Sequence, residues 1–208
     1  MPDIKLFELA PTRSARCRWT LLEAGLEYES IGNSIDVFSS VDLKAVHPLG
    51  KLPAAIFDGK PLFESAAIST AIADLVPEKK LIAAPGSWSR SLHDQWVSFA
   101  LTEMEAFVQS IEVNTIKFLL PKEQHVPAII EQNNMFYKKG AAALELVLGE
   151  TDYLVENRFT VTDIIVGYTV YFGEEQHLLG DFPNLRAYLD RLMAREHCTF
   201  APIEEYEN

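Results

Sequence analysis

Strand-like and helix-like patterns are divided unequally along this chain. In the first 78 residues, short runs typical of β-strands alternate with runs of helical spacing, in the order β-α-β-α-β-β-α. After a predicted linker over 79–87, apolar residues recur only at helical spacing. The helical segments begin near Trp88, Lys122, Thr160 and Phe182. The pattern predicts an α/β domain over 1–78 followed by an all-helical (all-α) domain over 88–208.

Composition and charge argue against several classes of partner. Of the 208 residues, 48% are hydrophobic and 23% are charged, which is ordinary for a globular protein with its own core. The formal net charge of −12 disfavours nucleic acid and anionic membrane as partners. No stretch approaches the roughly 20 apolar residues that a membrane-spanning helix needs. We therefore expect no nucleic acid and no membrane as partners.

The cysteines and the first residues of the chain indicate which cellular compartment to expect. Cys17 and Cys198 lie far apart, and the chain shows neither a paired-cysteine metal spacing nor a disulfide framework. The first residues lack the long apolar run of a secretory signal peptide. We expect a reduced, soluble, cytoplasmic protein that holds no metal.

The strand–turn–strand pattern over 53–63 leads directly into a helix that starts with an acid and a hydroxyl, Glu64 and Ser65. Pro53 belongs at the first residue of a strand, and a cis bond before it would leave backbone groups of Leu52 open to an extended peptide. Helix-start N–H groups and the Ser65 hydroxyl suit a carboxylate, and Glu64 suits an ammonium group. The alternative is that Glu64 and Ser65 only cap the helix.

The first strand-to-helix turn also concentrates polar and basic residues. Thr12 or Ser14 supplies a hydroxyl at the predicted helix start, and Arg13, Arg16 and Arg18 fall close by. These groups suit an anionic ligand, and a hydroxyl among them suits a thiolate. The alternatives are helix capping by the hydroxyls and a solvated face for the arginines.

A third motif is structural. Thr160 is followed three residues later by Asp163, the spacing of a capping box, directly before an apolar helical run. The spacing predicts the start of a buried helix, and replacing Asp163 should cost about 1 kcal/mol or more of stability.

Taken in order, these motifs resemble the cytosolic glutathione S-transferase superfamily, of bacterial type, over nearly the whole chain. The similar segments are "GKLPAAIFDGKPLFES", "RFTVTDI" and "DFPNLRAYLDRL". The resemblance implies a thioredoxin-like N-terminal domain followed by an all-helical C-terminal domain. It also implies a homodimer with a pocket for a hydrophobic electrophile between the domains, and glutathione as co-substrate with no other cofactor.

The resemblance assigns roles to individual residues of the glutathione site. Glu64 and Ser65 would hold the amine and carboxylate of the γ-glutamyl group. Leu52, before the cis proline Pro53, would pair its backbone with the cysteinyl part, and Lys51 would lie near the glycine carboxylate.

The catalytic turn departs from the pattern of the superfamily, whose members usually place Tyr, Ser or Cys at the start of the first helix. Counting back without gaps from Gly25 leads to Pro11 or Thr12, whereas alignment on "SxxCR" leads to Ser14. Ser14 is therefore the preferred candidate for contact with the thiolate and Thr12 the second, and Arg13 lies between them. Cys17 lies more than a helical turn beyond the start, which disfavours a thiol–disulfide role.

The resemblance implies an enzyme that conjugates glutathione to a hydrophobic electrophile, or reduces the electrophile with it, as in detoxification. The alternative is a binding or assembly module without catalysis, as in the gamma subunit of the translation elongation factor complex. The departure in the catalytic turn keeps that alternative open.

Overall fold

The computed structural model describes residues 2–10, 12–32, 34–116 and 119–200. The described residues form two compact units, of which one comprises 2–85 with 195–200 and the other 86–194. The assignment of folding domains to 1–78 and 88–208 stays a prediction.

A four-stranded mixed sheet forms the centre of the first unit. Its strands are β1 (Ile4–Glu8), β2 (Glu29–Gly32), β3 (Ala54–Phe57) and β4 (Lys60–Phe63). They lie in the order β2-β1-β3-β4, with β1 parallel to β2 and antiparallel to β3, and β3 antiparallel to β4. Phe7 lies beside Ala54, and Ala54 lies beside Phe63. The carboxyl ends of β1 and β4 therefore meet the amino end of β3 at one end of the sheet, here called the Ala54 end.

Helices pack on this sheet in the predicted order. They are α1 (Ser14–Ala24), α2 (Val41–Val46) and α3 (Ser65–Asp74). The β-α-β-α-β-β-α succession is confirmed, and it has the thioredoxin-like arrangement. Gly25 ends α1 at φ 67°, in the left-handed region that glycine adopts without a steric penalty. Ser40 begins α2, where its side chain accepts hydrogen bonds from the N–H groups of Asp42 and Leu43.

The first unit differs from the sequence-based prediction in two places. A 3-10 turn over Ile35–Ser39, which the periodicity does not show, precedes α2. The predicted linker over 79–87 is not an exposed tether, because Leu81, Ile82 and Ala83 are all buried. Three consecutive apolar residues are more stable out of water than in it, even in a segment without regular structure.

The segment 195–200 packs on α1. The Arg195 guanidinium forms two hydrogen bonds with Glu23, Nε to Oε1 at 3.0 Å and Nη2 to Oε2 at 3.1 Å. The Thr199 hydroxyl donates to the Ala15 carbonyl oxygen at 2.8 Å. Residues distant in sequence thus complete the surface of the first helix.

Helices make up the second unit, and none of its described residues lies in a β-strand. They are α4 (Trp88–Ala100), α5 (Ala106–Val113), α6 (Pro127–Leu148), α7 (Val161–Glu175) and α8 (Pro183–Met193). This confirms the all-helical prediction. Over the described ranges of the chain, no helix is both long enough and apolar enough to cross a bilayer.

The helix predicted from Trp88 is interrupted by a π-helical turn over Leu101–Glu105, which separates α4 from α5. Glu105 at its end is buried and accepts a hydrogen bond from the Thr169 hydroxyl of α7 at 2.7 Å. Gly140 of α6 approaches the π-helical backbone so closely that a Cβ there would lie 2.7 Å from it. The close approach and the buried carboxylate belong to one packing arrangement that a uniform α-helical period does not reveal.

Helix α7 is buried throughout Val161–Gly173. Its capping box is formed as predicted, with the Thr160 N–H donating to Asp163 Oδ2 at 2.8 Å. Asp163 Oδ1 also accepts from the Leu154 N–H and the Tyr188 hydroxyl, each at 3.1 Å. Burial raises the pKa of Asp163 to about 6, and these hydrogen bonds oppose part of that rise.

Candidate functional site

The Ala54 end of the sheet gathers the predicted site residues. Thr12, Arg13 and Ser14 follow β1, Lys51 to Pro53 precede β3, and Glu64 and Ser65 follow β4. Because Phe7, Ala54 and Phe63 form one row of the sheet, the three segments emerge side by side. The pairing of the strands thus brings together residues that are more than 50 positions apart in the sequence.

The backbone of Glu64 is the most unusual feature of this region. Glu64 adopts φ 73° and ψ 115°, in a region that residues other than glycine rarely enter, and α3 starts at the next residue. Its side chain is exposed and, among the described residues, makes no capping hydrogen bond to α3. The capping alternative for Glu64 is therefore wrong, and its carboxylate faces solvent beside the helix start.

Ser65, the first residue of α3, is buried against α1. Its hydroxyl oxygen accepts a hydrogen bond from Nη1 of Arg16 at 3.1 Å. The Cys17 thiol donates to the Ser65 carbonyl oxygen at 3.6 Å. The first turn of α3 is thus held by two consecutive residues of α1.

Cys17 lies inside the protein and not at the site surface. Its sulfur accepts a hydrogen bond from the Ser69 hydroxyl at 3.8 Å, and burial raises the pKa of the thiol to about 12. A thiol with that pKa is protonated near neutral pH and is a poor nucleophile.

The loop before β3 has the predicted backbone. The Leu52–Pro53 peptide bond is cis. Leu52 packs partly buried against the core residues beneath the loop, and the ladder of β3 begins only at Ala54. Lys51 is exposed. The backbone of Leu52 therefore lies beyond the strand pairing, beside the carboxyl end of β4.

His47 is a residue of this loop that the sequence did not single out. Its Nδ1 accepts the Leu49 N–H at 3.0 Å, and its ring lies 4.9 Å from the ring of Phe63 at the end of β4. His47 therefore links the loop to the strand that carries Glu64. The sequence signal was the position of His47 just before Pro48, where a helix must end.

The hydroxyls of the first turn bond to each other. Thr12 donates to the Leu9 carbonyl oxygen and lies 2.8 Å from the Ser14 hydroxyl oxygen. Ser14 Oγ also accepts the Leu9 N–H at 3.3 Å, and the Thr12 oxygen accepts the Ser14 N–H at 3.2 Å. Ser14 is 1% exposed, whereas Thr12 is half-buried. Pro11, the other position reached by counting back, lies outside the described residues.

The three arginines at the start of α1 do not form a solvated face. Arg13 is half-buried at the start of the helix, and Arg16 has no exposed surface. Arg18 donates from Nε to Oε2 of the buried carboxylate of Glu8 at 2.8 Å. The solvated-face alternative is therefore wrong, since each arginine is at least partly inside the protein.

Two family models match the chain. The model described as "Glutathione S-transferase, N-terminal domain" matches residues 2–74, and the one described as "Glutathione S-transferase, C-terminal domain" matches residues 116–199. Together they cover most of both units.

The curated relatives include glutathione S-transferases and elongation factor 1-gamma proteins. Glutathione S-transferase F13 of Arabidopsis thaliana is 30% identical over 73% of this chain and 71% of its own length. Glutathione S-transferase GstA of Escherichia coli O157:H7 is 26% identical over 92% of this chain and 94% of its own length. Elongation factor 1-gamma of Prunus avium is 28% identical over 69% of this chain. This chain spans only 34% of the length of that protein.

Solved structures share the fold over nearly the whole chain. A glutathione transferase of Methylococcus capsulatus has a TM-score of 0.80 and 26% identity, with 94% of this chain and 95% of that chain covered. A sphingomonad glutathione S-transferase complexed with glutathione has a TM-score of 0.78 and 26% identity, with 93% and 94% covered.

Proposed function

Because the chain belongs to the cytosolic glutathione S-transferase superfamily, we propose that it binds glutathione at the Ala54 end of the sheet. In this proposal it conjugates glutathione to a hydrophobic electrophile, or uses glutathione to reduce the electrophile. The observation that carries the proposal is the start of α3, where, among the residues that the structure describes, the Glu64 side chain makes no capping hydrogen bond to the first turn. The backbone N–H groups of that turn are therefore available to an anion.

Each part of glutathione has a partner in the proposed complex. The γ-glutamyl carboxylate lies against Ser65 and the first N–H groups of α3, and the ammonium group lies against the exposed carboxylate of Glu64. The cysteinyl backbone pairs with Leu52 beyond the end of the β3 ladder. Lys51, which is exposed, neutralises the glycine carboxylate. The convergence of these residues at one end of the sheet supports the assignment.

The proposed chemistry needs little from the protein. Lowering the thiol pKa of glutathione makes thiolate available near neutral pH, at about 1.4 kcal/mol of preferential stabilisation for each pKa unit. Holding the thiolate beside the electrophile removes the entropic cost of bringing two molecules together. Arg13 contributes positive charge, and either Thr12 or Ser14 contributes a hydroxyl. The partial exposure of Thr12 favours Thr12, because the Ser14 hydroxyl is buried in the turn. The hydroxyl hydrogen of Thr12 must then turn from the Leu9 carbonyl oxygen to the thiolate.

The second candidate function is a binding or assembly module. Two observations favour it: the similarity to elongation factor 1-gamma, and a catalytic turn whose hydroxyls bond internally. In that case the glutathione site would be retained without thiolate chemistry.

One experiment separates the two functions. Wild type, Ser65→Ala and Glu64→Ala are applied to a glutathione column, and turnover of glutathione with 1-chloro-2,4-dinitrobenzene is measured. Ser69→Ala, one turn further along α3, is the matched control, since Ser69 bonds to Cys17 and lies outside the proposed site. We expect Ser65→Ala to weaken glutathione binding about tenfold to a hundredfold, because it removes a hydrogen bond to a charged group.

The outcomes are distinct. Retention on the column together with turnover supports the transferase. If the protein is retained but turns over neither this electrophile nor a peroxide tested in the same way, the result favours the binding module. If the Ser65 and Glu64 variants bind as wild type does, the site assignment is wrong.

A further inference from the structure

We propose that Arg16 is a positioning residue for the γ-glutamyl carboxylate, acting through Ser65, a role that rests on the proposed binding of glutathione. Arg16 has no exposed surface, so it does not touch a ligand at the protein surface. Its action is on Ser65, whose hydroxyl oxygen it holds at 3.1 Å.

The hydrogen-bonding capacity of arginine determines which way the Ser65 hydroxyl points. A guanidinium group carries donors and no acceptor, whereas a serine hydroxyl has one donor and two acceptor positions. Ser65 Oγ must therefore be the acceptor toward Arg16, and its hydrogen must point to another acceptor. The carbonyl oxygen of Ser65 accepts from the Cys17 thiol on the same side. α1 thus holds Ser65 from within, and the hydroxyl hydrogen is left for a carboxylate at the helix start.

The charge of Arg16 acts in the same direction. A helix N-terminus carries about half a unit of positive charge, and the guanidinium is bonded to the first residue of that helix. Solvent and salt screen a buried charge much less than an exposed one. Arg13 and Arg18 differ in this respect, because both are only partly buried. Arg16 is also bonded directly to the first residue of α3.

The competing explanation is that Arg16 only fastens α1 to α3. Under that explanation, replacing Arg16 loosens the site for every ligand and adds to the effect of replacing Ser65. Under the proposed role, the effect is confined to ligands that carry the carboxylate and disappears once the Ser65 hydroxyl has been removed. The two explanations therefore differ in additivity and in ligand dependence.

The test is a double-mutant cycle on the full chain, with glutathione affinity measured by calorimetry. Arg16→Met should weaken binding about tenfold to a hundredfold in the wild-type background. In the Ser65→Ala background the same substitution should weaken binding about threefold or less, which leaves room for the direct effect of the charge. Equal losses in both backgrounds, or no loss in either, would overturn the proposal. Failure of wild type to bind glutathione would instead refute the proposed function.

A second ligand gives an independent readout. In 4-aminobutyryl-cysteinylglycine the γ-glutamyl carboxylate is missing and the ammonium group is kept. Glutathione should compete against this compound far better for wild type than for Arg16→Met, because only glutathione gains from Arg16. An unchanged ratio of the two affinities would mean that Arg16 only fastens the helices.

Control variants account for folding. Arg18→Met removes a cation two positions away on α1 whose partner is Glu8, so it should lower stability and leave glutathione affinity unchanged. If Arg16→Met does not fold, Arg16→Lys takes its place, since lysine keeps the buried charge but lacks the planar fork of donors. We expect a smaller loss of affinity for Arg16→Lys, again absent in the Ser65→Ala background.

In wild type itself, the NMR resonances of the Arg16 guanidinium should shift with glutathione and not with the aminobutyryl compound. Absence of that difference would also count against the proposal.

Discussion

The hydroxyl of Tyr188 in α8 donates a hydrogen bond across 3.1 Å to Asp163, the acid of the capping box that starts α7. The same carboxylate accepts from Thr160 and from the Leu154 N–H. Asp163→Ala would leave these donors buried without an acceptor. We expect a loss of about 3 kcal/mol or more in the free energy of unfolding, measured by urea denaturation. A loss below about 1 kcal/mol would mean that water replaces the carboxylate.

The protonation of Asp163 should make the stability depend on pH. Because the pKa is raised to about 6 in the folded protein, the native state binds more protons than the unfolded state between the two pKa values. This contribution is complete below the unfolded pKa and is lost as the pH rises through about 6. The stability advantage of wild type over Asp163→Asn should therefore be about 1 kcal/mol greater at about pH 5 than at about pH 7. A constant difference would contradict the raised pKa.

The backbone of Glu64 should make glycine more stable than alanine at this position. At φ 73° and ψ 115° a side chain carries strain of roughly 1–3 kcal/mol, which glycine avoids. Glu64→Gly should therefore unfold at a higher urea concentration than Glu64→Ala, by about 1 kcal/mol in free energy, although both lose the carboxylate. Both should bind glutathione equally weakly. Equal stability of the two variants would show that the backbone is relaxed there.

The two cysteines should differ in reactivity. Cys17 is fully buried with a pKa raised to about 12, whereas Cys198 is only partly buried, and burial also raises its pKa. Ellman's reagent should modify Cys198 in the native protein and leave Cys17 unmodified. The Cys198→Ser variant should then release no thionitrobenzoate until guanidinium unfolds it. Modification of Cys17 in the native protein would contradict its burial.

The first turn should separate catalysis from stability. If Thr12 contacts the thiolate, Thr12→Ala should reduce turnover about a hundredfold with little change in glutathione affinity. Ser14→Ala should chiefly lower stability, because the Ser14 hydroxyl bonds to Leu9 within the turn. Arg13→Ala should raise the pKa of the bound thiol, as followed by ultraviolet titration of the thiolate. If Ser14→Ala reduces turnover and Thr12→Ala does not, the contact with the thiolate belongs to Ser14. If none of the three variants changes turnover or the pKa of the bound thiol, the binding module is favoured.

A homodimer should cover Trp88, the first residue of α4, which is 77% exposed in the single chain. Light scattering at micromolar concentration should give the mass of two chains for wild type and of one chain for Trp88→Arg. Met135→Arg is the matched control, since Met135 is 59% exposed on another helix, α6. A wild-type monomer would refute the expected dimer.

The order of strands and helices was predictable because each element carries its own period. The hairpin and the capping box at Thr160 depend on residues close together in sequence. The interruption at Leu101–Glu105 was not predictable, because an added residue in a helical turn changes the period too little to stand out in an apolar pattern. It depends instead on the approach of Gly140 and the hydrogen bond to Thr169.

The site was predictable to the extent that it lies in contiguous motifs. Glu64, Ser65 and the cis bond before Pro53 follow from one stretch of sequence. Arg16 could not be assigned in that way, because arginines are mostly exposed and its partner Ser65 lies 49 positions further on. The internal bonding of Thr12 and Ser14 depends on the exact course of the turn after β1, which residue type alone does not determine.

The contacts of segment 195–200 with α1 have a consequence for synthesis on the ribosome. Glu23 and Ala15 are made early, whereas their partners Arg195 and Thr199 emerge only after the whole helical unit has been translated. At about 5–20 residues per second, the part of the α1 surface that this segment contacts stays uncovered for roughly 10–35 seconds while the intervening chain is made. A nascent chain stalled before residue 195 should therefore expose α1 to proteases, and release of the longer chain should protect it.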